Sequence, residues 1–430
     1  MQRGVLLALM LIGLLWHPAI TATAQQEPGS DVTAQVELLG SPASARFPRD
    51  IQAYVRNVWD LQTFGEHIYL GYGNSNNSGV VYNAGPIEVW YYDPAAGTFA
   101  YDYVTDEEQI DQFVVIDGQL FLPGHDPRST HQSSNVYRLR DTQPGTQWTR
   151  WASVPGALHV YDVTRYADRL FVALGIFEQG TAVMSSADDG QTWQGHSLPP
   201  LPGVTAGRAE AVWRAWQFFH VGDDLWVSVR QLLHAHLQPD DTIQYRAASA
   251  AVYRADITTS AADPGITFAP SSVDFFAGQL DPEIEGRGGR VARPVIFRGQ
   301  TVYLGVRTVT DHNWTPFGLF AVTADYDVRA LTVPGIDQVW DVLVAAGGGR
   351  LFVLGTTPHA SGGFRNTVAV TCDLQTWRAV LHFNDATFSR SFARHAGDFY
   401  FGQGAEEVMV NLASGRILRV DQALFDTRCP

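Results

Sequence analysis

Apolar residues recur along this chain in short bursts, without the long stretches of helical period that would mark helices. An apolar segment, a short Gly/Asp turn, a second apolar segment and usually a glycine form one pattern. It appears as VWDLQTFGEHIYLGYG (58–73), IDQFVVIDGQLFLPG (110–124), VYDVTRYADRLFVALG (160–175) and VWRAWQFFHVGDDLWVSVR (212–230). It returns as ARPVIFRGQTVYLGV (292–306), VWDVLVAAGGGRLFVLG (339–355) and SFARHAGDFYFGQG (391–404). Short alternating or continuous apolar runs bounded by turn residues predict strands joined by hairpins. A further alternating pair follows each copy, as in IEVWYYDPAAGTFAYDYV (87–104), so the unit is four strands. One such sheet cannot bury both faces alone, whereas a ring of stacked sheets can. The pattern therefore predicts an all-β chain: a single seven-bladed β-propeller of four-stranded antiparallel blades. Six blades is the lesser alternative, if the last copy merely closes the ring. The interval from the fourth copy to the fifth is longer, with an insertion over roughly 261–291.

The N-terminus changes the expected compartment. Arg3 precedes an apolar run from Val5 to Trp16, followed by Ala22-Thr23-Ala24 and Gln25. This reads as a secretory signal, with an apolar run too short to span a bilayer. The expected division is a signal peptide over 1–24, a leader segment over 25–48 and the propeller over 49–430. The protein is expected outside the cytoplasm, extracellular or periplasmic, without membrane insertion and as a monomer.

Charge narrows the partners. The formal net charge is −15, and all 29 basic residues are arginine. Schiff-base chemistry is excluded, and an acidic surface argues against nucleic acid and anionic membranes. Export permits a disulfide between Cys372 and Cys429.

The stretch MSSADDGQTW (184–193) falls between the third and fourth strands of the third repeat and has the S-x-D-x-G-x-T-W form of an Asp-box. Degraded versions occupy the same place in YYDPAAGTF (91–99), RDTQPGTQW (140–148) and TCDLQTW (371–377). The chain thereby resembles the Asp-box (BNR), sialidase-like propellers. Asp and Gly suit tight hairpins through Asx hydrogen bonds and positive φ. A motif repeated around a ring belongs to its scaffold, so Asp188 and Asp189 are read as turn residues.

The site is then expected on the opposite face. Segments entering the first strands offer Arg56, Asn57, Asp111, His159, Tyr161, Arg208, Glu210, Trp213, Arg290 and Arg293 there. Segments leaving the second strands offer Asn74, Asn76, Asn77, His125, Asp126, Arg128, His131, Arg230, His234, His236, Arg307, Asp311, His312, Trp314 and His359. Asp60, Asp162 and Asp341 recur at one repeat position and are expected to bond neighbouring backbone. The fourth repeat departs from them with Val212-Trp213-Arg214.

Arginines grip carboxylates and sulfates bidentately, and aromatic faces stack on sugar rings. The expected partner is an acidic polysaccharide or glycan, cleaved by lyase-type β-elimination. His125 or His159 would be the base, Tyr161 the proton donor, and Arg230 or Arg214 the neutralising cation. Asn74, Asn77, Arg128, Trp213, Arg214, Arg290, Arg307 and Trp314 are the expected substrate-binding residues. This placement resembles the seven-bladed propeller lyases that cut ulvan, in topology and residue type. At the fourth blade, where those lyases suggest a tyrosine, this chain has Trp213 or Arg214.

The alternatives are a sialidase-like exo-hydrolase, or a noncatalytic glycan- or protein-binding propeller. The first lacks the Phe/Tyr-Arg-Ile-Pro motif, which Arg46-Phe-Pro-Arg49 does not replace. Its carboxylates would come from Glu107, Asp111, Glu210 and Asp311, none paired by sequence. No cofactor is expected to be required. A structural calcium or zinc stays open through His234-x-His236 with His125 or His312.

Overall fold

The computed structural model describes residues 29–47, 53–75, 85–128, 133–141, 147–176, 181–199, 211–237, 243–258, 265–280, 289–308, 314–405 and 411–430. For 53–54, 151–153, 176, 211–213, 231–237 and 243–250 it describes the backbone only.

Second strands explain the architecture. In Arg169–Ile176 five consecutive residues, Leu170 to Leu174, are buried without a polar break. Leu351–Leu354 repeats this in the strand Leu351–Pro358. A strand reads as continuously apolar when both faces of its sheet are covered. Here each sheet is covered by its neighbours, and the buried clusters run between adjacent sheets, as Val172, Phe218 and Val227 do. The result is an all-β propeller of small antiparallel sheets.

The hydrogen bonding gives six sheets where seven separate ones were expected. Four have four strands, one has five and one has ten. The ten-stranded sheet contains two meanders, one over His159–Ser197 and the other over Ala211–Pro270. Two residue pairs join them, Gly175 with Arg214 and Ile176 with Trp213. Part of the expected insertion is therefore the edge strand Gly265–Pro270.

The ring is closed by the N-terminal segment expected to lead into the fold. Glu37–Gly40 pairs with Ile417–Val420, and Ser30–Asp31 runs parallel to Arg378–Asp385 in the preceding sheet. The C-terminal tail crosses the same two sheets. Arg350 donates to Thr427 and Arg378 to Asp426, Phe425 packs on Phe399, and Cys372 is bonded to Cys429.

The Asp-box is a turn. Ser186 donates to Asp188, whose carboxylate also takes the Thr192 amide and hydroxyl at 2.8 and 2.6 Å. Asp189 adopts the left-handed conformation (φ 59°) and binds Arg138 at 2.6 Å, tying this hairpin to the preceding sheet. TCDLQTW builds the same turn around Asp373, with Thr371 and Thr376 as partners.

First strands line a central channel of about 300 Å³. Counting four residues back from the strand end at the first five hairpins finds Asp60, Gln112, Asp162, Gln217 and Arg293 at one level. They form an inter-sheet belt. Asp60 accepts the Phe113 amide, Asp162 the Phe218 amide, and Asp341 the Phe392 amide. Gln112 and Gln217 both donate to Asp162, and Arg293 bridges the channel to Asp60 at 2.7 Å and Asp341 at 3.8 Å. Burial raises Asp162 to about 7 and Asp341 to about 6. The recurrent aspartates thus hold backbone. At this level the fourth repeat carries Trp216-Gln217; Val212-Trp213-Arg214 lies three residues earlier, because this first strand is longer.

Candidate functional site

Four first strands carry one extra residue immediately before the belt. The pairing register shifts across Tyr161, Trp216, Trp340 and Arg390. A bulge re-aims its side chain out of the ladder, and these four converge at the channel mouth opposite the Asp-box face. Trp59 and Asp111 stand at the equivalent place, one residue before Asp60 and Gln112.

A continuous stack crosses the mouth. The short strand His125–Pro127 pairs with Gln109 on one side and His159 on the other. The His125 and His159 rings lie 5.0 Å apart, His159 stacks on Tyr161 at 5.2 Å, and Tyr161 meets Trp216 at 4.0 Å. The Arg290 guanidinium lies 3.6 Å over the Trp216 ring. Gly175 backs the stack: a Cβ there would come within 2.7 Å of the Tyr161 ring and 2.8 Å of His159.

Polar contacts assign orientations. His125 Nδ1 faces Asp111 Oδ2 at 3.0 Å, an ion-pair contact whose angle falls outside that of a hydrogen bond. His125 Nε2 is buried with no partner among the described residues. Burial alone would raise the Asp111 carboxyl, but His125, Gln109 and Arg290 outweigh it and hold it at about 2. Arg214 Nη1 donates to the Tyr161 hydroxyl at 2.7 Å. Burial lifts Tyr161 to about 12, with Arg214 opposing.

The mouth is rich in cations. Burial, with the like charges of Arg230 and Arg214, pulls Arg290 down to about 9 against the attraction of Asp111. Arg290 has no ion-pair partner among the described residues. Arg230 sits opposite Arg214 in the ladder, with Nη1 3.4 Å from Thr308 Oγ1. A small cavity of about 40 Å³ opens among Asp111, Tyr161, Trp216, Arg290 and Trp314.

Of the expected residues, the structure gathers His125, His159, Tyr161, Arg214, Arg230, Arg290 and Trp314 around this mouth. Arg307 adjoins Thr308 but, by strand alternation, points to the other face. Arg128 braces the loop at Gly85 through its carbonyl. Asn74 is fully buried, its amide on the Glu108 carbonyl. Arg56 is also buried and holds the Asn411 and Ser414 carbonyls. The Trp213 backbone pairs with Gln231, while its side chain and those of His234 and His236 lie outside the described residues. So do Asn76, Asn77, His131, Arg208, Glu210, Asp311 and His312. Among the described residues no group of three or more His, Cys, Asp or Glu could hold a metal ion.

Sequence reasoning did not single out Trp216, Trp59, Trp340 or Arg390. Counting five residues back from the first-strand end, instead of aligning on V-W-x, would have put Trp216 and Arg390 in the column of Trp59 and Tyr161.

Fold and mouth define a β-propeller with a cationic, histidine-bearing centre. No family model and no curated protein matches the chain. Solved structures with a similar fold include a streptogramin B lyase (TM-score 0.49, 9% identity, 89% of this chain and 96% of that one). Others are the Trypanosoma rangeli sialidase with the inhibitor DANA (0.34, 14%, 60% and 46%) and the endo-arabinase of Bacteroides thetaiotaomicron (0.28, 13%, 64% and 92%). At these TM-scores and identities the likenesses say nothing of what this chain does.

Proposed function

We propose that this protein acts on an acidic glycan by β-elimination at the channel mouth, and that it does so as an exported monomer. His125 Nε2, with Nδ1 held against Asp111, removes the proton from the carbon beside a uronate carboxylate. The C–H electron pair becomes the new double bond as the β-carbon–oxygen bond breaks. The Tyr161 hydroxyl gives its proton to the departing oxygen, and Arg214 stabilises the resulting phenolate. Arg290 and Arg230 neutralise the carboxylate as it takes up charge. A proton passes from the imidazolium back to the phenolate through water, so no co-reactant is consumed.

The observation that carries this reading is the pairing of Tyr161 with Arg214 instead of a carboxylate. A tyrosine nucleophile for hydrolysis needs a carboxylate to take its proton. Among the described residues Asp111 is the one carboxylate lining the small cavity, and it faces His125. Among the described residues, two-carboxylate hydrolysis lacks its second member there.

Noncatalytic binding of the same glycan is the second reading. It is favoured by the cavity's size, about 40 Å³, which holds a water molecule or so and not a sugar ring. We further infer that the ring counts seven blades. The ten-stranded sheet contains two four-stranded meanders beside the short strands Glu107–Gln109 and His125–Pro127, and first strands from seven repeats line one channel.

The test is a panel of uronate-containing, sulfated and sialylated glycans, followed by reducing ends and ultraviolet absorbance together. New ends with rising absorbance support elimination. New ends without absorbance overturn it for hydrolysis, and binding without new ends favours the second reading.

A further inference from the structure

Arg390 stands where the other bulged first strands put Tyr161, Trp216 and Trp340. It is 1% exposed, and its guanidinium lies 4.2 Å over Trp59, 4.3 Å over Trp314 and 5.1 Å over Trp340. Nη2 donates to the Trp314 carbonyl at 3.1 Å, and the buried Nε has no acceptor. No carboxylate lies at ion-pair distance among the described residues.

Its neighbour Arg293 is handled differently. Arg293 is compensated by Asp60 and Asp341, and the Asp60 contact is a direct hydrogen bond. Burial first, then the like charges of Arg293 and Arg290 against the attraction of Asp111, holds Arg390 well below its ordinary range. Indole faces offset part of the cost of burying a cation, but they carry no compensating charge. Trp314 meets Arg390 and also lines the small cavity of Arg290. Two guanidiniums with no ion pair among the described residues thus share Trp314 as a neighbour.

We propose that Arg390 and Arg290 form an anion position at the Trp314 edge of the channel mouth, holding one small anion: a halide or a single oxyanion group. The anion relieves the repulsion between the two guanidiniums and takes the fork that neither gives to a carboxylate. Its source is either a free inorganic ion or one acid group of a bound ligand. The position shares Arg290 with the elimination reading, but it contains neither His125 nor Tyr161, so anion binding and turnover are scored separately.

Trp59, Trp314 and Trp340 make the site report on itself. The full chain is titrated with sodium chloride, sodium sulfate and sodium glucuronate separately, at fixed pH, and followed by tryptophan fluorescence. A saturable change with at least one anion is expected, absent in Arg390→Gln and weakened in Arg290→Gln. Saturation by chloride or sulfate identifies a free ion, and saturation by glucuronate alone identifies a ligand's acid group. If Arg390→Gln does not fold, Arg390→Lys serves, keeping the charge without the fork; its affinity should drop about tenfold. No saturable change with any anion, an equal change in Arg390→Gln, or an unchanged constant in Arg390→Lys overturns the proposal. Elimination is scored on the same preparations. Turnover without anion binding overturns this proposal alone, and anion binding without turnover overturns the elimination alone.

Discussion

Arg214 Nη1 donates to the Tyr161 hydroxyl at 2.7 Å, and this contact comes from two first strands whose meanders are joined at Gly175 and Arg214 within one sheet. The phenol oxygen accepts, so its proton is free to be given away. Tyr161→Phe should lower elimination roughly 100- to 10,000-fold while leaving glycan binding in place. Arg214→Met should lower kcat as well, with a smaller effect on KM. A Tyr161→Phe variant with full turnover would remove Tyr161 from the chemistry.

Asp111 orients His125. Asp111→Asn keeps the size but not the charge facing Nδ1, and should cost about 100-fold in kcat. The check is steady-state kinetics on the glycan that responds in the panel. An equal loss from His159→Gln, with His125→Gln active, would reassign the base to His159.

Gly175 is needed small. Gly175→Ala puts a methyl 2.7 Å from the Tyr161 ring and 2.8 Å from His159 Cδ2. The stack must shift, costing about 1–3 kcal/mol of stability. Urea unfolding measures the cost. Unchanged stability together with unchanged activity would mean that the stack is not held from behind.

Two buried acids set a pH dependence of stability. Burial raises Glu107 to about 7 and Glu108 to about 8, from an ordinary 4.5. Folded, each holds its proton more tightly than when unfolded. Their contribution is therefore full below the unfolded value and is lost as pH rises through 7 and 8. The melting temperature should fall between about pH 5 and about pH 9. Glu108→Gln should flatten that slope, and an identical slope in the variant would count against this origin.

The Cys372–Cys429 bond ties the C-terminal tail to a hairpin 57 residues back. Its removal by Cys372→Ser should cost about 2–4 kcal/mol. Intact mass with and without reductant, beside thermal unfolding, checks both the bond and its effect. Equal midpoints would show that Arg350, Arg378 and Phe425 hold the tail unaided.

Much of this was legible because it is local. A strand covered on both faces reads as an apolar run, as Leu170–Leu174 does. The Asp188 turn is written in Ser186, Gly190 and Thr192, all within four residues. His125, His159, Tyr161 and Arg290 could be assigned to one face because strand direction alternates. Trp216 and Arg390 could not be placed, because a single bulged residue changes which side chain leaves the ladder. V-W-x at Val212-Trp213-Arg214 looked like the repeat, but the longer first strand put Trp216-Gln217 in that slot.

The sequence by itself determined the strands, the repeat, the hairpin chemistry and the excess of histidine and arginine on one face. These follow from side-chain alternation and from turn conformations that act over a few residues. Only the tertiary structure decided that Glu37–Gly40 closes the ring and that Arg214 bonds Tyr161. It alone decided that Arg293 is compensated by Asp60 and Asp341 while Arg390 rests on three indoles. Those outcomes depend on which side chains meet across a channel, tens to hundreds of residues apart in the chain, where a shift of one position in register exchanges the groups that face each other.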